Sequence, residues 1–171
     1  MRTMNARHHK EAHGFTLMEI LVSIGIIAVL ATVVLVAIGP AARNSRDTAR
    51  KAQLDLIRRF LASGSCYAPA GGPGDYDLTV IVDELTAENP QVAEYASSIP
   101  KDPRSGTATE SGYRYLYGDG GHCALYANLE NAGADVTLPG LSEPTAGGGT
   151  GTLEASSEGP NGTDRYYQIS K

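Results

Sequence analysis

Glu19 makes the largest demand on its surroundings of any residue in the chain. It closes the run Gly14-Phe15-Thr16-Leu17-Met18-Glu19, and Ile20 to Ile38 follow without a charge. At about 1.5 Å per residue this uncharged stretch makes a helix of roughly 28 Å, close to the roughly 30 Å hydrocarbon core of a bilayer. An acidic side chain at the centre of such a span costs on the order of 2.5–3.5 kcal/mol, and less near the interface. Glu19 therefore either snorkels into water at the headgroup level or meets a cation. The remaining chemistry-bearing residues are sparse. His9 and His13 have i, i+4 spacing but no third ligand, and with His8 they lack the His-Glu-x-x-His order of a zinc protease, so no metal is assigned to them. His122 is the only histidine after the span, which leaves no Ser-His-Asp set; nor is there a nucleophile elbow or a phosphate loop. The expectation is a protein that is not an enzyme and carries no cofactor. Asp75 with Asp77, and Asp119 beside Gly120-Gly121, lack the alternating oxygen ligands of a calcium loop and read as solvated turns.

The elements around these residues are set by the helix. After Gly39-Pro40, Ala49, Ala52, Leu56 and Phe60 fall on one helical face, Leu54, Ile57 and Leu61 widen it, and Lys51, Asp55, Arg58 and Arg59 lie opposite. This half, residues 40–63, is an amphipathic continuation that needs a sheet to rest on, ending near Ser63-Gly64-Ser65. Pro40 lacks an N–H and its ring crowds the carbonyl of Val36, so Gly39 and Pro40 mark a kink or weak point. Ser23, Gly25, Ala28 and Ala31 would let neighbouring helices approach closely.

The residues now carry a resemblance. Gly14-Phe15-Thr16-Leu17-Met18-Glu19 before a long apolar helix, after a short basic leader, resembles the class III signal of type IV pilins and type II secretion pseudopilins. The resemblance implies cleavage after Gly14 by a prepilin peptidase, N-methylation of Phe15, and pairing of Glu19 with the Phe15 amine of a neighbouring subunit. It also implies storage in the inner membrane, contact with assembly-platform proteins, and polymerisation with other copies into a filament. Residues 1–14 would be the leader and 15–39 the transmembrane and filament-core helix. Arg2, Arg7 and Lys10 before the span nearly balance Arg43, Arg46, Arg50 and Lys51 after it, so the leader motif and not the charge count places the C-terminal domain outside the cytoplasm. In that oxidising setting Cys66 and Cys123 are expected to be bridged, with two buried thiols as the alternative.

Length and composition fit this scheme. A 171-residue chain with 42% hydrophobic residues supports one domain, residues 64–171, beside the helix. A net charge of −5 argues against nucleic-acid binding by its bulk. The fold class predicted is α+β, pilin-like: a long N-terminal helix packed on a small antiparallel sheet. Leu78–Glu88 and 90–98 read as short helices. Pro100-Lys101-Asp102-Pro103 reads as a rigid turn, similar to an element of major pseudopilins but continuing with Arg104-Ser105. Alternation in Gly112–Tyr117, with three tyrosines on one side, and in His122–Leu129 predicts a hairpin of two strands, and Arg165–Ile169 a third. Residues 131–164 are rich in Gly, Ser and Thr and read as a long mobile loop. Asn161-Gly162-Thr163 matches a glycosylation sequon and is given little weight. An anchored binding module that does not polymerise, using the face of Tyr113, Tyr115 and Tyr117, is the alternative function; packing of those rings beneath the helix is the simpler account.

Overall fold

Period-two alternation around Tyr113–Tyr117 and Cys123–Leu129 builds the centre of the protein. The computed structural model describes residues 14–61, 65–93 and 99–171. In chain order the elements are α1 (Leu17–Leu61), β1 (Gly74–Asp77), α2 (Leu78–Glu88), a 3-10 turn (Pro90–Val92), β2 (Arg114–Tyr117), a second turn (Asp119–Gly121), β3 (Cys123–Asn128), β4 (Gly151–Glu154) and β5 (Arg165–Ser170). The strands form one antiparallel sheet in the order β1-β2-β3-β5-β4. The layout is α+β, a long N-terminal helix with a small antiparallel sheet. The chain falls into two compact units, divided between Gly39 and Pro40.

In the unit that begins at Pro40, register decides which side chains meet the helices. Tyr76, Tyr115, Leu125 and Ile169 are neighbours across four strands, and Tyr113, Cys123 and Ala127 extend the same face. Leu54 and Ile57 of α1 and Leu78, Ile81 and Val82 of α2 close over it. Each large apolar side chain buried this way contributes about 1.5–3 kcal/mol, an upper estimate because the unfolded chain already buries some of it. Tyr113 donates its hydroxyl to Gln53 Oε1, and Tyr115 donates to the Tyr67 carbonyl at 2.8 Å, so both rings are buried without stranding a polar atom. Helix α2 starts where it does because the Asp77 carboxylate caps it, accepting from Thr79 N at 2.9 Å. The same oxygen accepts from Ser111 N at 3.0 Å, tying the start of α2 to the entry of β2.

Several expectations give way here. Gly74–Asp77 is an edge strand and not a solvated turn, and Asp77 is consumed by capping. The buried stripe of α1 is Asp47, Arg50, Leu54, Ile57 and, partly, Leu61; Leu56 is 61% exposed and Ala52 is exposed. The apolar count misplaced the stripe because it discarded two charged positions that are in fact buried. Of the helix predicted over 90–98, Pro90–Val92 form a 3-10 turn and Ala93 is helical. Residues 94–98, the helix end near 62–64, and the leader with His8, His9 and His13 lie outside the described residues.

The largest departure is the Gly/Ser/Thr-rich stretch. It supplies β4, whose Leu153 is fully buried, and is held down by side chains of the sheet. Gln168, fully buried on β5, accepts from Thr145 N at 2.8 Å and donates to Gly149 O at 2.9 Å; Ser170 Oγ accepts from Gly147 N at 2.6 Å. Polar ligation of its backbone replaces the apolar burial that composition says it lacks.

Candidate functional site

Phe15 to Val36 and Ile38 are all exposed, and α1 is the one helix among the described residues long and apolar enough to cross a membrane. Its most apolar window has a mean hydropathy of 3.0, and none of that window is buried by the protein itself. The hydroxyls within it are satisfied internally: Ser23 Oγ donates to Glu19 O and Thr32 Oγ1 to Val29 O, both at 2.7 Å. Glu19 is left as the span's only charge.

At the start of α1, Thr16 and Glu19 form a reciprocal capping box. Glu19 N donates to Thr16 Oγ1 at 3.2 Å, while Glu19 Oε2 accepts from Thr16 N and from Thr16 Oγ1, both at 2.8 Å. Thr16-Leu17-Met18-Glu19 is a Thr-x-x-Glu sequence, so this partner was legible; sequence reasoning looked for a cation and missed the hydroxyl three residues back. Phe15, 84% exposed, sits immediately before the box. Gly39 and Pro40 are both inside α1.

The second constellation lies at Asp47–Arg50 of α1 and was not anticipated. The Arg50 side chain is fully buried, and its guanidinium meets three carboxylates. Nε donates to Asp102 Oδ2 at 2.6 Å, Nη1 to Asp47 Oδ1 at 2.7 Å and Nη2 to Glu130 Oε1 at 2.7 Å. Arg46 adds a forked pair to Glu130 at 2.6 and 2.7 Å, and Arg104 Nη1 approaches the same carboxylate at 3.6 Å. The carboxylates also bind backbone. Asp47 accepts from Glu130 N and Asn131 N at 2.9 Å, and Asp102 accepts from Arg104 N and Ser105 N at 2.8 and 2.9 Å. Three arginines face three carboxylates, so the cluster is close to neutral and each member has a partner.

These contacts fix the protonation states. Burial works to raise the Asp102 carboxyl, but the Arg50 guanidinium and the two backbone N–H groups outweigh it and hold it at about 2. Glu130 is held at about 2 first by the Arg46 hydrogen bonds, then by Arg50. Burial alone would lower Arg50, yet its three partners raise it, so it stays charged. The cluster binds α1 to the turn around Asp102 and to the segment after β3. The turn's aspartate, not only its prolines, is what makes Pro100–Pro103 a fixed point.

Other candidate residues are placed as follows. Cys66 and Cys123 are joined in a disulfide across 57 positions of sequence, linking the segment after α1 to β3. Among the described residues no group of three or more His, Cys, Asp or Glu side chains is arranged to hold a metal ion. Asp75 pairs with Arg114 at 3.1 Å, Asp119 lies in the turn between β2 and β3, and Tyr113 and Tyr115 are core. Asn161 is buried at 2% exposure, with its Nδ2 donating to Asn128 O at 2.7 Å, so the sequon nitrogen is not open to a glycan in the folded chain.

Comparison with curated proteins and with solved structures returns no match. A family model does match, over residues 9–35, which covers the end of the basic stretch, the Thr16–Glu19 box and most of the apolar half of α1. The family described is the prokaryotic N-terminal methylation motif, and with the apolar helix behind it this chain carries the signal of a type IV pilin-like precursor with a membrane anchor.

Proposed function

We propose that the chain is the precursor of a structural filament subunit, cleaved between Gly14 and Phe15, N-methylated on Phe15, and polymerised through the apolar half of α1. The observation that carries this reading is the methylation motif at residues 9–35 laid on a helix half whose apolar side chains are all exposed. Apolar surface left in water costs roughly 25 cal/mol per Å², so this half needs lipid or other helices around it. Lipid satisfies it while the subunit is stored. In a filament the same side chains, with Ser23, Gly25, Ala28 and Ala31 permitting close approach, pack against other copies.

Cleavage frees an amine at Phe15, four residues from Glu19. A neighbouring subunit's Phe15 amine then supplies the cation that a carboxylate in apolar surroundings requires. The prepilin peptidase and assembly-platform proteins are the partners this route needs, with the C-terminal domain outside the cytoplasm and on the filament's outer shell. Gly39-Pro40 is the point at which α1 is easiest to deform during packing. The filament is a type IV pilus or a type II secretion pseudopilus.

Protein sheared from cell surfaces and analysed by N-terminal sequencing and intact mass tests the proposal. The expected result is N-methylphenylalanine at position 15 in filament material. Protein found only in membranes with Met1 intact overturns it in favour of a plain anchor.

A further inference from the structure

Within the unit that begins at Pro40, the outward faces of α1 and α2 carry opposite charge. On α1, Ala52, Leu56 and Arg59 are exposed on the side away from the buried stripe, with Lys51, Asp55 and Arg58 beside them. Leu56 is 61% exposed, and three cations surround it for one carboxylate. Arg58 and Arg59 both bind Asp55, at 3.1 and 2.7 Å. Lys51 has its ammonium 5.2 Å from the centre of the Tyr167 ring and no carboxylate partner among the described residues.

On α2 the sign is reversed. Val80, 43% exposed, and the exposed Ala87 lie among Asp83, Glu84 and Glu88. This helix has no Lys or Arg, and none of its three carboxylates pairs with a cation among the described residues. Glu88 stands in the last turn, where the helix's own partial negative charge disfavours a carboxylate. Each face is therefore a small apolar centre rimmed by charge of one sign, and among the described residues no ion pair joins one face to the other.

The distribution of charge along the chain says what can cover them. Residues 43–59 hold six of the eleven Lys and Arg that follow Glu19 and two of the seventeen Asp and Glu, whereas residues 60–171 hold five and fifteen. Two copies that meet through their acidic surfaces repel one another, so a contact between copies that escapes repulsion brings the α1 face against an acidic one.

We propose that the outward face of α2 docks on the cationic face of α1 of a second copy, with Val80 and Ala87 against Leu56 and Ala52, and Asp83, Glu84 and Glu88 opposite Lys51, Arg58 and Arg59. The two faces are different surfaces of one unit, so the contact is head-to-tail and yields a ring or an open helical array, not a two-fold pair. The inference rests on the filament reading above, and adds to it a contact outside the apolar half of α1 that fixes the orientation in which copies meet.

The test uses the full chain in cells, with the yield of sheared filaments as the readout. Arg58→Glu with Arg59→Glu, and separately Asp83→Lys with Glu88→Lys, place like charges opposite one another and are each expected to lower the yield about tenfold. All four substitutions in one chain exchange the signs and should restore the yield to within about twofold of the unsubstituted chain. The four residues are exposed, so the urea midpoints of the purified variants should stay where they were. A benzophenone amino acid at Ala87 in an otherwise unchanged chain reads the contact without any charge reversal: ultraviolet light should join it to residues 51–59 of a second copy. Undiminished yield from either reversal, no recovery in the combined variant, or an adduct that is absent or lies elsewhere overturns this contact and leaves polymerisation standing. An unsubstituted chain that gives no filaments and keeps Met1 overturns the filament reading, and this contact with it.

Discussion

The two halves of α1 invert the usual relation between polarity and burial. From Phe15 to Val36 the helix is almost entirely apolar and entirely exposed; from Asp47 onward it is rich in charge, and its most completely buried large side chain is Arg50. What a side chain finds around it, and not its own transfer free energy, decides its place. The described side chains of the first half are exposed, so its surface is suited to a different solvent, lipid or other helices. The second half has three carboxylates converging on one guanidinium, and that convergence makes burial of the charge tolerable.

The largest expected effect comes from breaking the convergence. Arg50→Ala leaves Asp102, Asp47 and Glu130 buried with one shared cation fewer, and should cost roughly 3–5 kcal/mol in urea unfolding of the C-terminal unit. Val29→Ala in the first half, at an exposed position, should move the same transition by less than about 0.5 kcal/mol. Equal effects from the two variants would dissolve the contrast between the halves. Next in size is the bridge between Cys66 and Cys123. It closes a loop of 57 positions, and replacing both with serine should cost about 4 kcal/mol on the chain-entropy account. A loss under about 1 kcal/mol would show that the ion cluster already restrains the same segments.

The cluster also sets a pH dependence for the unit that begins at Pro40. Asp102 and Glu130 titrate at about 2 in the folded protein, against ordinary values of 3.8 and 4.5. Both are depressed on folding, so the unfolded chain takes up protons first. The stability they contribute is complete above about pH 5, shrinks as pH falls through the unfolded values, and is gone below about pH 2. By about pH 3 the loss should be roughly 2–3 kcal/mol in the urea transition, and a flat midpoint from neutrality to that pH would mean the carboxylates are not held as the geometry requires.

The same inversion explains what the sequence disclosed. Periodicity found α2 at its observed bounds and the strands at Arg114–Tyr117, Cys123–Asn128 and Arg165–Ser170, because there apolar side chains meet apolar neighbours and alternation reports contact. It failed wherever polar groups hold the structure. Asp47 and Arg50 were left out of the buried stripe because their partners, Asp102 and Glu130, lie more than fifty positions away and no local pattern announces them. Residues 141–150 looked unable to order because their ligand, the Gln168 amide, belongs to a strand that follows them. The methylation signal was legible because it is contiguous.

The smallest energetic effect bears most directly on function. Glu19 has two roles on offer: the acceptor in a capping box with Thr16, worth about 1 kcal/mol to the start of α1, and the counter-charge to an amine on a neighbouring copy. Two substitutions separate them, because glutamine retains the acceptor of the box and loses the charge, whereas alanine loses both. Both variants should insert in the membrane, since each removes a polar or charged cost from the span. If charge pairing drives assembly, Glu19→Gln and Glu19→Ala should reduce sheared filament yield alike. If the box is what matters, because it sets the direction in which Phe15 leaves the helix, Glu19→Gln should assemble near normally and Thr16→Ala should fail as Glu19→Ala does. Normal yield from Glu19→Ala would remove both roles, and would leave the apolar surface of the first half as the sole determinant of assembly.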